Sequence, residues 1–445
     1  MSGADSPIAE VSHRSIWARA WPIILANAAT PLLGLADTAV IGNTGSVANL
    51  GSIALGALLF NFLYWGFGFL RMGTTGFTAQ ADGAGDQGEV RAVLARSLLL
   101  AVSIAVLLLV LQAPLISLAT ALFSASAEVE QGAEVYFHWR ILGAPAALAT
   151  FTLMGTLIGL GRSGLLLRVQ LLLNGLNIAL DLLFAAGLGW GVEGIAIGTA
   201  TAEWVTLLFA AGWVLKLLDQ QRQADQPFWS RASIFDWPAM LRTLSTNRDI
   251  FIRTLALLLS FAWFTNQGAQ FGDRVLAANH LLMQFIAFSA YFLDGYAFAV
   301  ESLVGKAIGA RDRAGFDAVV RRSSELALAT ALLLSAILIS CGAWLIAGLT
   351  DLGPVRMEAQ RYLPWAAVYV LLSFAAFQLD GIFIGATRSS EMRNAALAAT
   401  AVFLLSDWLL TPTWRAHGLW CAFVIYVIVR ALTLLLYMPR IRREI

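Results

Sequence analysis

Apolar stretches of about 20 residues or more recur along the whole of this chain, and they constrain its fold more than any other feature. In a bilayer no water reaches the backbone, so each stretch must close its own hydrogen bonds, and an α-helix does this within one segment. Twelve stretches qualify: 16–43, 50–80, 92–112, 136–160, 165–186, 190–217, 248–271, 276–307, 316–347, 361–386, 391–411 and 417–439. Several exceed 25 residues, which predicts tilted or kinked helices. With 59% of residues hydrophobic and 13% charged, no soluble domain of useful size remains between the spans. The expected fold class is all-α integral membrane, with twelve transmembrane helices in two pseudo-twofold-related six-helix lobes.

The expected parts are a cytoplasmic N-terminal segment (1–15), an N-lobe (16–217), a cytoplasmic inter-lobe linker (218–247), a C-lobe (248–439) and a cytoplasmic tail (440–445). The first apolar run is not followed by a small-residue cleavage site, so it reads as an uncleaved span. Basic residues orient the chain. Arg14, Arg19, Lys216, Arg222, Arg231, Arg242, Arg440, Arg442 and Arg443 fall on one side, against Arg274, Arg356, Arg361 and Arg415 on the other. The positive-inside rule then puts both termini in the cytoplasm of a bacterial-type inner membrane. The net charge of +1 and the absence of a basic cluster offer nothing to nucleic acid. Cys341 and Cys421 lie within apolar spans, which implies neither a disulfide nor a metal framework.

The two halves repeat. An offset of 226 aligns Tyr136 with Tyr362, Trp139 with Trp365, Gly155 with Gly381, Gly159 with Gly385, Arg162-Ser163 with Arg388-Ser389, and Asp181 with Asp407. Earlier in each half an offset of 223 pairs Asn43 with Asn266 and Phe69-Leu70 with Phe292-Leu293. The change is expected before the GAGD (83–86) and GARD (309–312) loops. Six spans per half is an even number, so the repeats run parallel, a plan that in transporters encloses a central site.

The first span, WPIILANAATPLLGLADTAVIGNTG over 21–45, holds Pro22, Pro31 and Asp37. A carboxylate at that depth costs at least about 2.5–3.5 kcal/mol on insertion scales, which marks Asp37 as functional. Each proline removes a backbone hydrogen bond, giving a hinge. Asp181 ends the fifth span at a similar depth, and Asn177, four residues earlier, shares its helix face. Two buried carboxylates at one level cannot both ionise cheaply, so the pair should hold a proton. Tyr136 and Thr199 are candidates to extend this network. Glu203 is either functional or paired with Arg71, Arg140 or Arg430. In the second half Asp294, Glu301, Asp380 and Asp407 are further intramembrane acids. The GxxxG pairs at 155–159 and 381–385 read as close helix packing.

PLLGLADTAVIGNTG (31–45), FGFLRMGTTGFTAQADGAGD (67–86), NRDIFIRTLALL (247–258), YFLDGYAFAVESLVGKAIGARD (291–312) and QLDGIFIGATRSSEMRNA (378–395) together resemble the DinF-type branch of the multidrug and toxic compound extrusion (MATE) transporters. That resemblance implies a twelve-helix, two-lobed secondary antiporter that expels amphipathic, often cationic compounds in exchange for an ion. It also implies proton uptake at Asp37, bending at Pro22, and a surrounding shell of Asn177, Asp181, Tyr136 and Thr199. The seventh span lacks the carboxylate of sodium-coupled relatives, which argues against their C-lobe sodium site, although Asp380 on the tenth span keeps that question open.

The expected activity is therefore proton-coupled export of amphipathic drugs or metabolites. No cofactor or resident metal is expected beyond the coupling ion, with Na+ at Asp37 and Asp181 as the alternative to H+. Expected partners are small-molecule substrates and membrane lipids, and a monomer is expected. A lipid-precursor flippase would want more embedded arginine than Arg71, Arg140 and Arg430 provide. An enzyme is disfavoured, because His13, His138, His280 and His417 are scattered and neither HExxH nor GxSxG occurs.

Overall fold

The computed structural model describes residues 11–122, 126–222 and 227–445. The first ten residues of the expected N-terminal segment, and 223–226 of the expected linker, lie outside the described residues. All secondary structure among the described residues is helical. Helix α1 (His13–Thr44) is followed by α2 (Val47–Gly66), α3 (Phe69–Gly83), α4 (Gln87–Val110), α5 (Gln112–Leu122), α6 (Ala127–Arg140), α7 (Ala144–Gly159), α8 (Ser163–Asp181) and α9 (Gly191–Gln220). The second half comprises α10 (Arg231–Ile234), α11 (Trp237–Ala269), α12 (Asp273–Gly309), α13 (Arg313–Leu349), α14 (Gly353–Gly385), α15 (Ser389–Trp414) and α16 (Ala416–Glu444). Eleven helical stretches among the described residues are long and apolar enough to cross a bilayer, and the 32-residue α1 precedes them.

The helices overrun the expected spans, because polar residues beyond the lipid edge continue the same backbone hydrogen bonding. α11 starts at Trp237 instead of near 248, and α16 carries the expected tail as far as Glu444. α6 and α7 make one span, joined by a 3-10 turn at Ile141–Gly143. Pro145 explains the join: it has no N–H for the Ile141 carbonyl, and the chain tightens there. α2 and α3 likewise form one span broken at Phe67 and Gly68.

The chain divides into two compact units. One comprises the segment up to Ile24, Gly83–Gly85 and Ser245–Ile445; the other comprises Leu25–Asp82 and Asp86–Leu244. α1 thus contributes to both. Within the first of these units, its early residues pack on α12: Trp17 meets Tyr296 with ring centroids 6.1 Å apart, and a Cβ on Gly295 would lie 2.3 Å from Ile24.

Each unit repeats the other's local contacts. Gly155 and Gly159 of α7 lie so close to α3 that a Cβ would meet the Arg71 carbonyl at 2.5 Å and the Thr75 carbonyl at 2.8 Å. Gly381 and Gly385 of α14 meet the Ala297 and Glu301 carbonyls of α12, each at 2.5 Å. The GxxxG motifs therefore do bring helices together. Gly85 and Arg311 both take positive φ, and so do Gly161 and Thr387. Asp86 and Asp312 then cap α4 and α13, each accepting a backbone N–H at 2.8 Å. These pairs all stand 226 apart, as do the first residues of α2 and α12. The shift from 223 therefore falls in the turn before α12, not before the GAGD and GARD loops. The sequence comparison misplaced it because Phe69-Leu70 and Phe292-Leu293 match by chance of composition.

Candidate coupling site and family

The candidate site lies in the unit that holds α2 to α9. α8 presents Asn174, Asn177 and Asp181, spaced by three and four residues, on one buried face. Asn174 donates its Nδ2 to the Ala29 carbonyl of α1 at 3.1 Å, and Asn177 donates its Nδ2 to Asp37 Oδ1 at 3.3 Å. The same Asn177 amide also donates to Asp181 Oδ2. Asp37 and Asp181 thus share one amide nitrogen as a donor. Asp181 is fully buried and Asp37 is 8% exposed. The sequence-selected trio is thus assembled, with Asn177 bridging two acids from helices 140 residues apart.

Asp181 stands where α8 changes its winding. From Leu182 to Gly187 the chain is a π-helix, closed by the Leu188 N–H to the Leu183 carbonyl at 2.9 Å. Such turns place an extra residue in a helix and recur at functional sites. α9 packs directly against this turn. A Cβ on Gly194 would lie 2.8 Å from Ala185 N, and one on Gly198 would lie 2.7 Å from Asp181 Oδ1. Gly194 and Gly198 form a further GxxxG, a signal in the sequence that could have marked this contact.

The other candidates are placed less centrally. Tyr136 is buried against Gly56 of α2, and its hydroxyl feels the charges of Asp37 and Asp181 without a hydrogen bond to either. Thr199 turns its hydroxyl back to the Ile195 carbonyl at 2.9 Å, which satisfies it within α9. Pro22 is buried, Pro31 is exposed, and α1 is helical through both.

Glu203 pairs with Arg140, among the three partners open from the sequence. Arg140 Nη1 donates to Oε2 at 2.7 Å and Nη2 to Oε1 at 2.5 Å, a fork-on-fork geometry. Arg140 also donates to Tyr64 Oη at 3.2 Å and stacks on Phe60, 5.0 Å from its centroid. Its charge reaches both Asp37 and Asp181. Arg140 and Tyr64 therefore belong to the site's electrostatics, though neither was selected from the sequence. Gly143 makes room for the pair, since a Cβ there would meet Glu203 Oε2 at 2.2 Å.

In the other unit the acids are differently engaged. Asp407 accepts from Trp263 Nε1 at 2.9 Å and from Thr411 Oγ1 at 2.5 Å. Asp380 Oδ2 accepts from both Arg253 Nη2 and Arg430 Nη2. Glu301 is buried and Asp294 half-buried on α12. The repeat that sets Asp181 opposite Asp407 therefore gives a diacid in one half and a singly held acid in the other.

Eleven helices long and apolar enough to cross a bilayer among the described residues, preceded by α1 and arranged in two repeated halves, define a multi-pass membrane protein. The chain belongs to the MatE family, whose model matches residues 22–183 and 250–409, one match in each half. It is 39% identical over 425 residues to the DNA damage-inducible protein F of Escherichia coli (strain K12), covering 95% of this chain and 91% of that one. It is 26% identical over 431 residues to the probable multidrug resistance protein NorM of Agrobacterium fabrum (strain C58), covering 91% and 88%. In fold it is similar to a solved structure described as the outward-facing conformation of a multidrug resistance MATE family transporter of the MOP superfamily. The TM-score there is 0.87 at 20% identity, over 97% of this chain and 96% of that one. The protein is thus a multidrug and toxic compound efflux transporter of the membrane, not an enzyme.

Proposed function

We propose that this transporter exports amphipathic, cationic drugs or metabolites in exchange for protons, and that Asp37, Asn177 and Asp181 are the coupling site. One observation carries the reading: a single buried amide nitrogen, Asn177 Nδ2, donates to both Asp37 and Asp181 and so holds the two acids side by side. Two carboxylates attract each other only when one carries a proton, so the pair is a proton-holding unit. With Asp37 ionised, the site favours a cationic substrate; with Asp37 protonated, its contacts with Asn177 weaken and α1 bends at Pro22 and Pro31. Proton and substrate then bias one equilibrium in opposite directions, which is all that coupling requires. Tyr136 and Thr199 complete the wall of the site.

A sodium-coupled version is favoured by one observation. Asn177 Oδ1 and Asp181 Oδ1 are buried and have no hydrogen-bond donor among the described residues. Such oxygens suit a hard cation. Asp380, by contrast, already has two guanidiniums, so we assign no coupling ion there, and Asp294, Glu301 and Asp407 are supporting polar sites of the second half. The distribution of Lys and Arg supports an inner-membrane protein with both termini cytoplasmic.

The test is efflux of an ethidium-type dye from proteoliposomes under an imposed proton gradient or an imposed sodium gradient, for wild type and Asp37→Asn. Dye movement driven by protons and lost in the variant supports the proposal. Dye movement driven by sodium alone overturns proton coupling.

A further inference from the structure

The unit that holds α11 to α16 buries two arginines against one carboxylate, a cluster that coupling at Asp37 does not use. Arg253 of α11 and Arg430 of α16 both donate through Nη2 to a single atom, Asp380 Oδ2 on α14. Their side chains are 9% and 7% exposed, and that of Asp380 is 9% exposed. Two permanent cations therefore share one carboxylate oxygen, at a depth where charged groups need close partners. Each guanidinium carries five N–H donors, and each commits one nitrogen to a protein acceptor here. The Tyr426 hydroxyl, fully buried on the turn of α16 before Arg430, lies beside Ser260. The surroundings are aromatic: Phe377 lies 6.0 Å under the Arg430 guanidinium, and Tyr369 and Tyr426 stack on either side of Phe423.

Spare forked donors on two cations, a buried hydroxyl and aromatic walls suit a ligand with an acidic head and an apolar body. We propose that Arg253, Arg430 and Tyr426 form a binding site for a monovalent oxyanion head group: a carboxylate, sulfonate or phosphate. Its source is either an acidic amphiphile in transit or the head of a membrane phospholipid. Planar guanidiniums bind such groups in bidentate fashion, and Asp380 holds the two arginines in register for it. The inference is independent of the coupling ion and does not require dye transport.

Equilibrium dialysis of radiolabelled octanoate against the purified full-length protein in maltoside detergent tests it, with octyltrimethylammonium as the cationic control. Wild type should bind octanoate saturably, at one site per chain, and Arg430→Gln should bind about tenfold more weakly. Arg430→Lys keeps the charge but loses the fork, so it should stay folded and fall between the two. Asp380→Asn carries the decisive sign: removing the internal anion frees both guanidiniums, and octanoate affinity should rise. A purely structural triad would lose binding or folding there. If phosphatidylglycerol nanodiscs suppress octanoate binding and phosphatidylcholine nanodiscs do not, the occupant is a lipid head; equal binding in both identifies a soluble amphiphile. No saturable octanoate binding, or equal binding by wild type and Arg430→Gln, overturns the proposal.

Discussion

Arg140 and Glu203 lock together through both ends of each group, at 2.7 and 2.5 Å, inside the unit that carries the acid pair. Their side chains are 8% and 7% exposed, so neither charge has water to fall back on. Removing one partner by Glu203→Gln should destabilise the protein by about 3–5 kcal/mol, because a buried guanidinium is left alone. The double change Arg140→Met with Glu203→Leu should recover most of that loss. Thermal unfolding in detergent reads both, and a double variant no better than the single would show that the pair does more than neutralise itself.

Asp181 and Asp407 occupy equivalent places in the repeat but have different company. Asp181→Asn should abolish proton-driven dye efflux, because the shared proton is lost from the Asp37 pair. Asp407→Asn should leave efflux near wild type, since an amide oxygen can still accept from Trp263 Nε1 while its NH2 donates to the Thr411 hydroxyl in turn. Proteoliposome assays on the two variants decide this; equal loss in both would remove the distinction between the halves.

Two glycines on α9 make a matched comparison. A Cβ at Gly198 would lie 2.7 Å from Asp181 Oδ1 and 3.3 Å from the α8 backbone, whereas one at Gly212 has nothing within 4 Å. Gly198→Ala should cost about 1–3 kcal/mol through overpacking and displace the acid, lowering efflux. Gly212→Ala should be neutral or stabilising by up to about 1 kcal/mol from helix propensity. Unfolding midpoints and dye efflux measured side by side would expose any failure of this contrast.

Thr387 holds the left-handed conformation, φ +54°, that Gly161 holds at the matching place in the other half. That conformation costs an L-residue roughly 1–2 kcal/mol, and the β-branch makes it worse. Thr387→Gly should therefore stabilise the protein by about 1 kcal/mol, and Gly161→Thr should destabilise it by a similar amount. A midpoint that moves the wrong way in Thr387→Gly would mean that its hydroxyl, bonded to the Ala386 carbonyl at 2.8 Å, holds the turn.

The spans were legible because lipid admits so few solutions: an apolar run of sufficient length has to be a helix. Their ends were not, because Trp237 to Asn247 is polar enough to read as a loop while its backbone simply continues α11. Asn177 and Asp181 could be read as a pair from local spacing, and Asp37 joined them through depth counting alone. Glu203 could not be assigned to Arg140, because three embedded arginines were equally available and nothing local separates residues 63 positions apart. Thr199 was selected for its type and position, yet its hydroxyl bonds to its own helix, a choice that depends on side-chain rotation and leaves no trace in sequence. Asp380 was legible only as an intramembrane acid without an assigned partner, because Arg253 and Arg430 come from distant helices.

The π-turn after Asp181 gives that residue an unusual freedom. A helix that already holds one additional residue can pass the excess along its axis by exchanging one backbone hydrogen bond at a time, without unwinding. Each such exchange would rotate the neighbouring side chain by about 100°. The acid at the start of the turn thus stands beside a stretch of helix where such an exchange can begin.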